Sequence, residues 1–152
     1  MLRVADVMRT HVHQVAPDAS VRTAAHRMLL LGIESLVVVE DDRPVGIVTE
    51  RDILAAAMPR MDELVGSGLS AIDVADVARA HFQVPVREVM THAIETTTSD
   101  TTVTKALGAM LARRLRRLPV QDPGSGRLVG IVTQRDLLGL IYLDAHDTVA
   151  TV

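Results

Sequence analysis

The sequence predicts an α/β protein written as two similar halves, and three observations carry that prediction. The first is internal repetition. Val4, Val7, Met8, Asp18, Val21, Ala24, Met28, Leu29, Leu36 and Val38 recur 82 positions later as Val86, Val89, Met90, Asp100, Val103, Ala106, Met110, Leu111, Leu118 and Val120. After a shift of two, Arg43, Val45, Gly46, Ile47, Val48, Thr49, Arg51, Asp52 and Leu54 recur as Arg127, Val129, Gly130, Ile131, Val132, Thr133, Arg135, Asp136 and Leu138. The second is a change of hydrophobic period within each half, from helical spacing to β-branched runs and back to helical spacing. The third is where the extra residues fall. Asp122-Pro123-Gly124-Ser125-Gly126 replaces Glu40-Asp41-Asp42, and turns are where insertions are tolerated.

In the first copy, Val21, Ala24, Ala25, Met28 and Leu29 mark one helical face after a candidate N-cap at Ser20, and Gly32 can close that helix in the left-handed conformation. Ser35 to Val39 and Pro44 to Thr49 read as two short strands around the polar turn Glu40 to Arg43, too apolar to be half-exposed. A helix follows from about Glu50 through Ile53 and Leu54. Between the copies, Met58 to Phe82 contains a break at Gly66-Ser67-Gly68. A packed connecting helix follows, with Ala71, Val74, Ala75, Ala78 and Phe82 at helical spacing. The second copy repeats the pattern with Val103, Ala106, Leu107, Met110 and Leu111, strands at Leu118 to Gln121 and Leu128 to Thr133, and a helix from about Gln134. Arg114 stands where Gly32 did, so this helix end is expected to use another cap. The divisions are repeat 1 at 2–57, a connecting helical segment at 58–83, repeat 2 at 84–143 and a tail at 144–152. One copy would leave a sheet face uncovered, so the copies are expected to pack through their sheets with a cleft at the junction.

Composition narrows the function. Hydrophobic residues make up 48% of the 152 but aromatics only 1%, so the core rests on aliphatic side chains and offers no platform for stacking bases. A net charge of −3 supplies no global attraction to nucleic acid or anionic membranes. The absence of Cys removes disulfides, thiolate catalysis and thiolate zinc sites. No segment approaches the roughly 18 apolar residues of a membrane span, and the N-terminus lacks an apolar signal core. A cytoplasmic protein is expected.

The chemistry concentrates in Gly46-Ile47-Val48-Thr49-Glu50-Arg51-Asp52 and its repeat Gly130-Ile131-Val132-Thr133-Gln134-Arg135-Asp136. Each places a Gly in a strand, a hydroxyl at the strand end and a carboxylate one turn into the next helix. Such a Gly lets a ligand approach the backbone. A Thr hydroxyl beside helix N-terminal amides suits a phosphate, and an ionised Asp suits a vicinal diol. The structural alternative is a capping box, Thr at the N-cap with Asp at N3, which spacing alone slightly favours and which can coexist with binding. Neither a nucleophile-and-base pair nor a Walker or dinucleotide glycine motif is present, so no enzymatic activity is expected.

The strings Pro44-Val-Gly-Ile-Val-Thr-Glu-Arg-Asp-Ile-Leu and Leu118-Pro-Val followed by Leu128-Val-Gly-Ile-Val-Thr-Gln-Arg-Asp-Leu-Leu resemble the signature of CBS (cystathionine-beta-synthase) domains, and the tandem looks like a Bateman module over residues 2–143, of the freestanding prokaryotic kind. The resemblance implies two repeats, each a small sheet with two helices, related by pseudo-two-fold symmetry. It implies a regulatory module that binds an adenosine-containing nucleotide (AMP, ADP, ATP or S-adenosylmethionine) in the cleft between repeats and signals to a protein in trans. No cofactor is required. By the same resemblance Asp52 and Asp136 meet ribose hydroxyls, and Thr49 and Thr133 meet ribose or phosphate. Arg116 and Arg117 meet phosphate, and Arg135 stands beside the Thr as a further candidate. The segments Thr10 to Val12 and His92 to Ile94 approach the base through backbone groups, which nominates Val12; Ile131 is nominated from the motif strand. In the first copy Glu34 and Ser35 occupy the arginine positions, so two unequal sites are expected. The alternative is a structural dimerisation module with empty pockets.

Arg113 and Arg114 read equally well as cations at a helix C-terminus, and Arg51 and Arg135 as solvent-facing charges. His11 and His13, at strand spacing, lack a third ligand; His26, His81, His92 and His146 form no constellation, and each is expected at the surface or half-buried. Met28 and Met110 read as core. A homodimer is expected, with Val21, Ala25, Met28 and Leu29 on one face and Leu137, Leu138, Ile141 and Tyr142 on another.

Overall fold

The structure, a computed structural model, describes residues 1–66 and 71–149. In chain order its elements are α1 (Val4–Val7), β1 (Gln14–Val15), α2 (Val21–Leu31), β2 (Ser35–Glu40), β3 (Arg43–Thr49), α3 (Glu50–Gly66), α4 (Ala71–Phe82), a 3-10 turn (Val86–Glu88), β4 (Thr97–Thr98), α5 (Val103–Arg113), β5 (Arg117–Gln121), β6 (Leu128–Thr133) and α6 (Gln134–Val149). Two three-stranded sheets result, ordered β1-β2-β3 and β4-β5-β6. In each, a two-residue strand runs parallel to the next: Val15 lies opposite Val38, and Thr97 opposite Val120. Strands β5 and β6 are antiparallel, from Arg117 opposite Thr133 to Gln121 opposite Leu128.

The chain divides into two compact units that interleave the written order. One contains residues 13–41 and 45–94; the other contains 1–12, 42–44 and 95–152. The core residues show the exchange. Val86, the counterpart of Val4, packs with Val15, Val21, Ala24, Met28, Leu36, Val38, Val48 and Ile53. Val4 packs with Ala106, Met110, Leu118, Val120, Val132 and Leu137. Each such burial contributes about 1.5–3 kcal/mol for a large aliphatic side chain, and Met28 and Met110 take the core positions expected of them.

Helix α2 starts where the sequence places it. The Ser20 hydroxyl accepts from the Thr23 amide at 3.1 Å, and Gly32 ends the helix at φ +64°. The second copy corrects the cap expectation: Arg114 adopts the same left-handed conformation, φ +54° and ψ +41°, as a non-glycine residue. The buried stripe is also narrower than expected. Val21, Ala24 and Met28 are enclosed, but Leu29 is 80% exposed and its counterpart Leu111 63%. A stripe at i, i+3 and i+7 meets one neighbouring layer, and position i+8 turns beyond its reach.

The β2–β3 turn is tight because Asp41 and Asp42 both take positive φ, as a two-residue hairpin requires. The longer β5–β6 turn wraps the Asp122 carboxylate, which accepts from the Ser125 amide at 2.7 Å, the Ser125 hydroxyl at 2.9 Å and the Gly124 amide at 3.1 Å. Those donors, the Ser125 amide foremost, hold its carboxyl below the ordinary range. The expected connecting helix is α4, while Ser67 and Gly68 of the predicted break lie outside the described residues. On α4, His81 departs from its expected surface or half-buried placement. It is buried, and its Nε2 lies 3.2 Å from the Ile53 carbonyl, so that nitrogen carries the donating proton.

Candidate functional site

Both Thr–Asp motifs sit at a strand-to-helix junction, and both form the expected capping box. At the start of α3 the Thr49 amide donates to Asp52 Oδ2 at 2.9 Å, and the Asp52 amide donates to Thr49 Oγ1 at 3.1 Å. At the start of α6 the Thr133 amide donates to Asp136 Oδ2 and the Asp136 amide to Thr133 Oγ1, both at 3.1 Å. The neighbouring chain is held the same way in the two units. The Glu50 amide donates to the Glu34 carbonyl at 3.0 Å, and the Gln134 amide to the Arg116 carbonyl at 2.9 Å. Glu34 and Arg116 are therefore true structural counterparts.

The glycines of the motif serve the protein's own backbone. A Cβ on Gly130 would lie 2.8 Å from the Arg9 carbonyl oxygen and 2.7 Å from Met8 Sδ. On Gly46 it would lie 2.9 Å from the Thr91 carbonyl oxygen and 2.6 Å from Met90 Sδ. The space that a Cβ would need at each glycine is therefore taken by the chain itself. The strand instead takes a crossing segment: Arg9 and Ile131 exchange two backbone hydrogen bonds, each 2.9 Å, while Ile47 and Thr91 do so at 3.1 and 2.9 Å. Both backbone polar groups of Ile131 are thus engaged, and its side chain is half-buried.

The crossing segment brings a residue that the repeat did not single out. The Asp136 side chain is only 12% exposed, and its Oδ2 also accepts from the Thr133 hydroxyl at 2.8 Å. Its other oxygen, Oδ1, accepts from Arg9 Nε at 2.8 Å and Nη2 at 2.7 Å. In the other unit the counterpart of Arg9 is Thr91, and among the described residues no cation pairs with Asp52. Comparing the copies does show Arg9 against Thr91. Only the fold shows that this position faces a carboxylate from the end of the chain.

The other candidates in the Arg9 unit are placed by β5, β6 and the segment after α1. Arg117 lies opposite Thr133 in the sheet and is half-buried, and Arg116 is exposed at the edge where α6 begins. Arg135 is exposed on the first turn of α6, and half-buried Val12 ends the N-terminal segment. The basic run is divided, because Arg113 pairs with Glu95 and Arg114 forms the helix cap. No group of metal-ligating side chains occurs among the described residues.

Two α/β units with a Thr–Asp capping box at each strand-to-helix junction define a tandem-repeat module, with Arg9 paired to the carboxylate of one of its two motifs. The CBS domain profile matches residues 4–59 and 86–143, and the chain belongs to the CBS-domain family. It is 35% identical over 145 residues to an uncharacterised 17.7 kDa protein of Acidianus ambivalens, covering 95% of this chain and 75% of that one. It is 31% identical over 127 residues to inosine-5'-monophosphate dehydrogenase of Thermoplasma acidophilum, covering 84% of this chain but 21% of the enzyme. Among solved structures it resembles CBSX2, crystallised in complex with AMP, at 26% identity and a TM-score of 0.73, with 95% of this chain and 99% of that chain covered.

Proposed function

We propose that this protein is a non-catalytic, cytoplasmic sensing module that binds an adenosine nucleotide at its Thr–Asp motifs, acts as a homodimer, and signals occupancy to a partner protein in trans. The observation that carries the reading is the asymmetry of the two motifs. Arg9, Arg116 and Arg117 stand on elements that converge on Thr133 and Asp136, whereas Thr91, Glu34 and Ser35 occupy the matching positions around Thr49 and Asp52. A nucleotide carries a diol for the carboxylate and a phosphate for the guanidinium groups, so the Asp136 motif suits AMP, ADP or ATP better than a neutral nucleoside. The AMP complex of CBSX2 supports the ligand class. S-adenosylmethionine has the diol without the phosphate and suits the Asp52 motif.

Titration calorimetry with AMP, ATP and adenosine tests the reading. The phosphorylated compounds should bind more tightly, and Asp136→Ala should weaken AMP by about ten- to a hundredfold, the worth of charge-assisted bonds of about 1.5–3 kcal/mol. Affinity is scaled to the folded fraction, because the substitution also removes a helix cap. Absence of heat with every adenosine compound would favour a structural dimerisation module, a reading supported by the saturation of Asp136 by Thr133 and Arg9.

A further inference from the structure

We infer that Arg9 gates the Asp136 motif and makes that site selective for ligands that bring their own anion. The inference rests on the nucleotide reading and deepens it. The Asp136 carboxylate has one oxygen, Oδ2, committed to the capping box, while the other, Oδ1, is held by two guanidinium N–H groups of Arg9. A ribose diol must displace them. Neutral hydroxyls make weaker bonds to a carboxylate than a guanidinium does, so adenosine alone exchanges a strong partner for a weak one. A phosphorylated nucleotide reverses the balance, because the displaced guanidinium gains a phosphate while the diol takes the carboxylate.

The geometry of Arg9 permits the exchange. Its backbone is pinned to Ile131 by two hydrogen bonds, so the residue keeps its place. Its side chain is 63% exposed and can swing without opening the core. The other unit lacks the device, since Thr91 holds the equivalent position on the equivalent crossing segment. The two motifs therefore differ in admission rule as well as in charge: one leaves its carboxylate open to a bare nucleoside and the other favours a ligand with an anionic group.

The test compares AMP and adenosine by titration calorimetry on the full chain carrying Asp52→Asn, with and without Arg9→Thr, so that the heat reports the Asp136 motif. Opening the gate should strengthen adenosine by about fivefold, as expected for release of one partly exposed ion pair. AMP should not gain, so the preference for AMP over adenosine should shrink. Arg9→Lys retains a cation on a similar stem and should restore most of the preference. Unchanged affinities for both compounds would overturn the gate and leave the nucleotide reading intact. Weaker AMP with unchanged adenosine would make Arg9 a phosphate contact only, which also overturns the gate. Failure of AMP to bind either protein would overturn the gate and the nucleotide reading together.

Discussion

Gly130 shows what one missing side chain accomplishes here. An added methyl would meet a thioether that can rotate away, but also the Arg9 carbonyl, which is fixed by its bond from the Ile131 amide. Gly130→Ala should therefore destabilise the protein by about 1–3 kcal/mol, the usual cost of overpacking a fitted site. Urea denaturation provides the measurement, and an unchanged midpoint at unchanged slope would contradict the steric argument. The same replacement should loosen Arg9 from Asp136, since the carbonyl it strikes belongs to the residue that carries the guanidinium. At this scale the sequence is legible in part. Thr49, Asp52, Thr133 and Asp136 stand out in a motif that needs only local spacing, and their capping boxes are legible because capping too is local. Arg9 was not, because its partner lies 127 residues away and no periodicity links them.

Helices α2 and α5 are the same element written with different ends. Gly32 reaches the left-handed region without a side-chain penalty; Arg114 reaches it against the steric preference of a residue bearing a Cβ. Arg114→Gly should accordingly raise stability by about 0.5–1 kcal/mol, the relief of the backbone exceeding the added freedom of the unfolded chain. A calorimetric melt that shows a lower Tm for the variant would refute this. The helices and the longer strands were readable because each extends over enough residues to display its period, and Glu50 and Gln134 begin their helices as predicted. Strands β1 and β4 were not readable. Two residues display no alternation, and both strands exist only because a partner strand stands beside them.

At the scale of the molecule, the expected dimer faces need revision. Val21, Met28 and Leu137 are core residues and unavailable to a partner, whereas Leu138, Ile141 and Tyr142 lie 53–66% exposed on one stripe of α6. The proposed homodimer should therefore be sensitive to Leu138→Asp and Ile141→Asp together. Light scattering should report twice 16.4 kDa for the parent protein and a single chain for the double variant, with similar circular dichroism. A parent mass of one chain at high micromolar concentration would count against the assembly. Leu29, Leu30 and Leu31 on α2 are likewise exposed, and Leu29 lines a groove with Phe82, Arg22, His26 and Arg79, so the revision shifts the apolar surface rather than removing it.

The traded segments have a consequence for how this chain can be divided. Residues 1–12 complete the unit that holds the second copy's strands, and residues 86–94 complete the one that holds the first copy's. A cut between Gly66 and Ala71 would thus leave each unit containing peptide from both sides of the cut, so neither fragment carries a whole fold away with it. The repeat is a unit of writing, and the compact unit does not coincide with it. Each unit's core is closed by a residue written in the other half of the chain, Val86 in one and Val4 in the other, so the linear order and the compact unit are out of step.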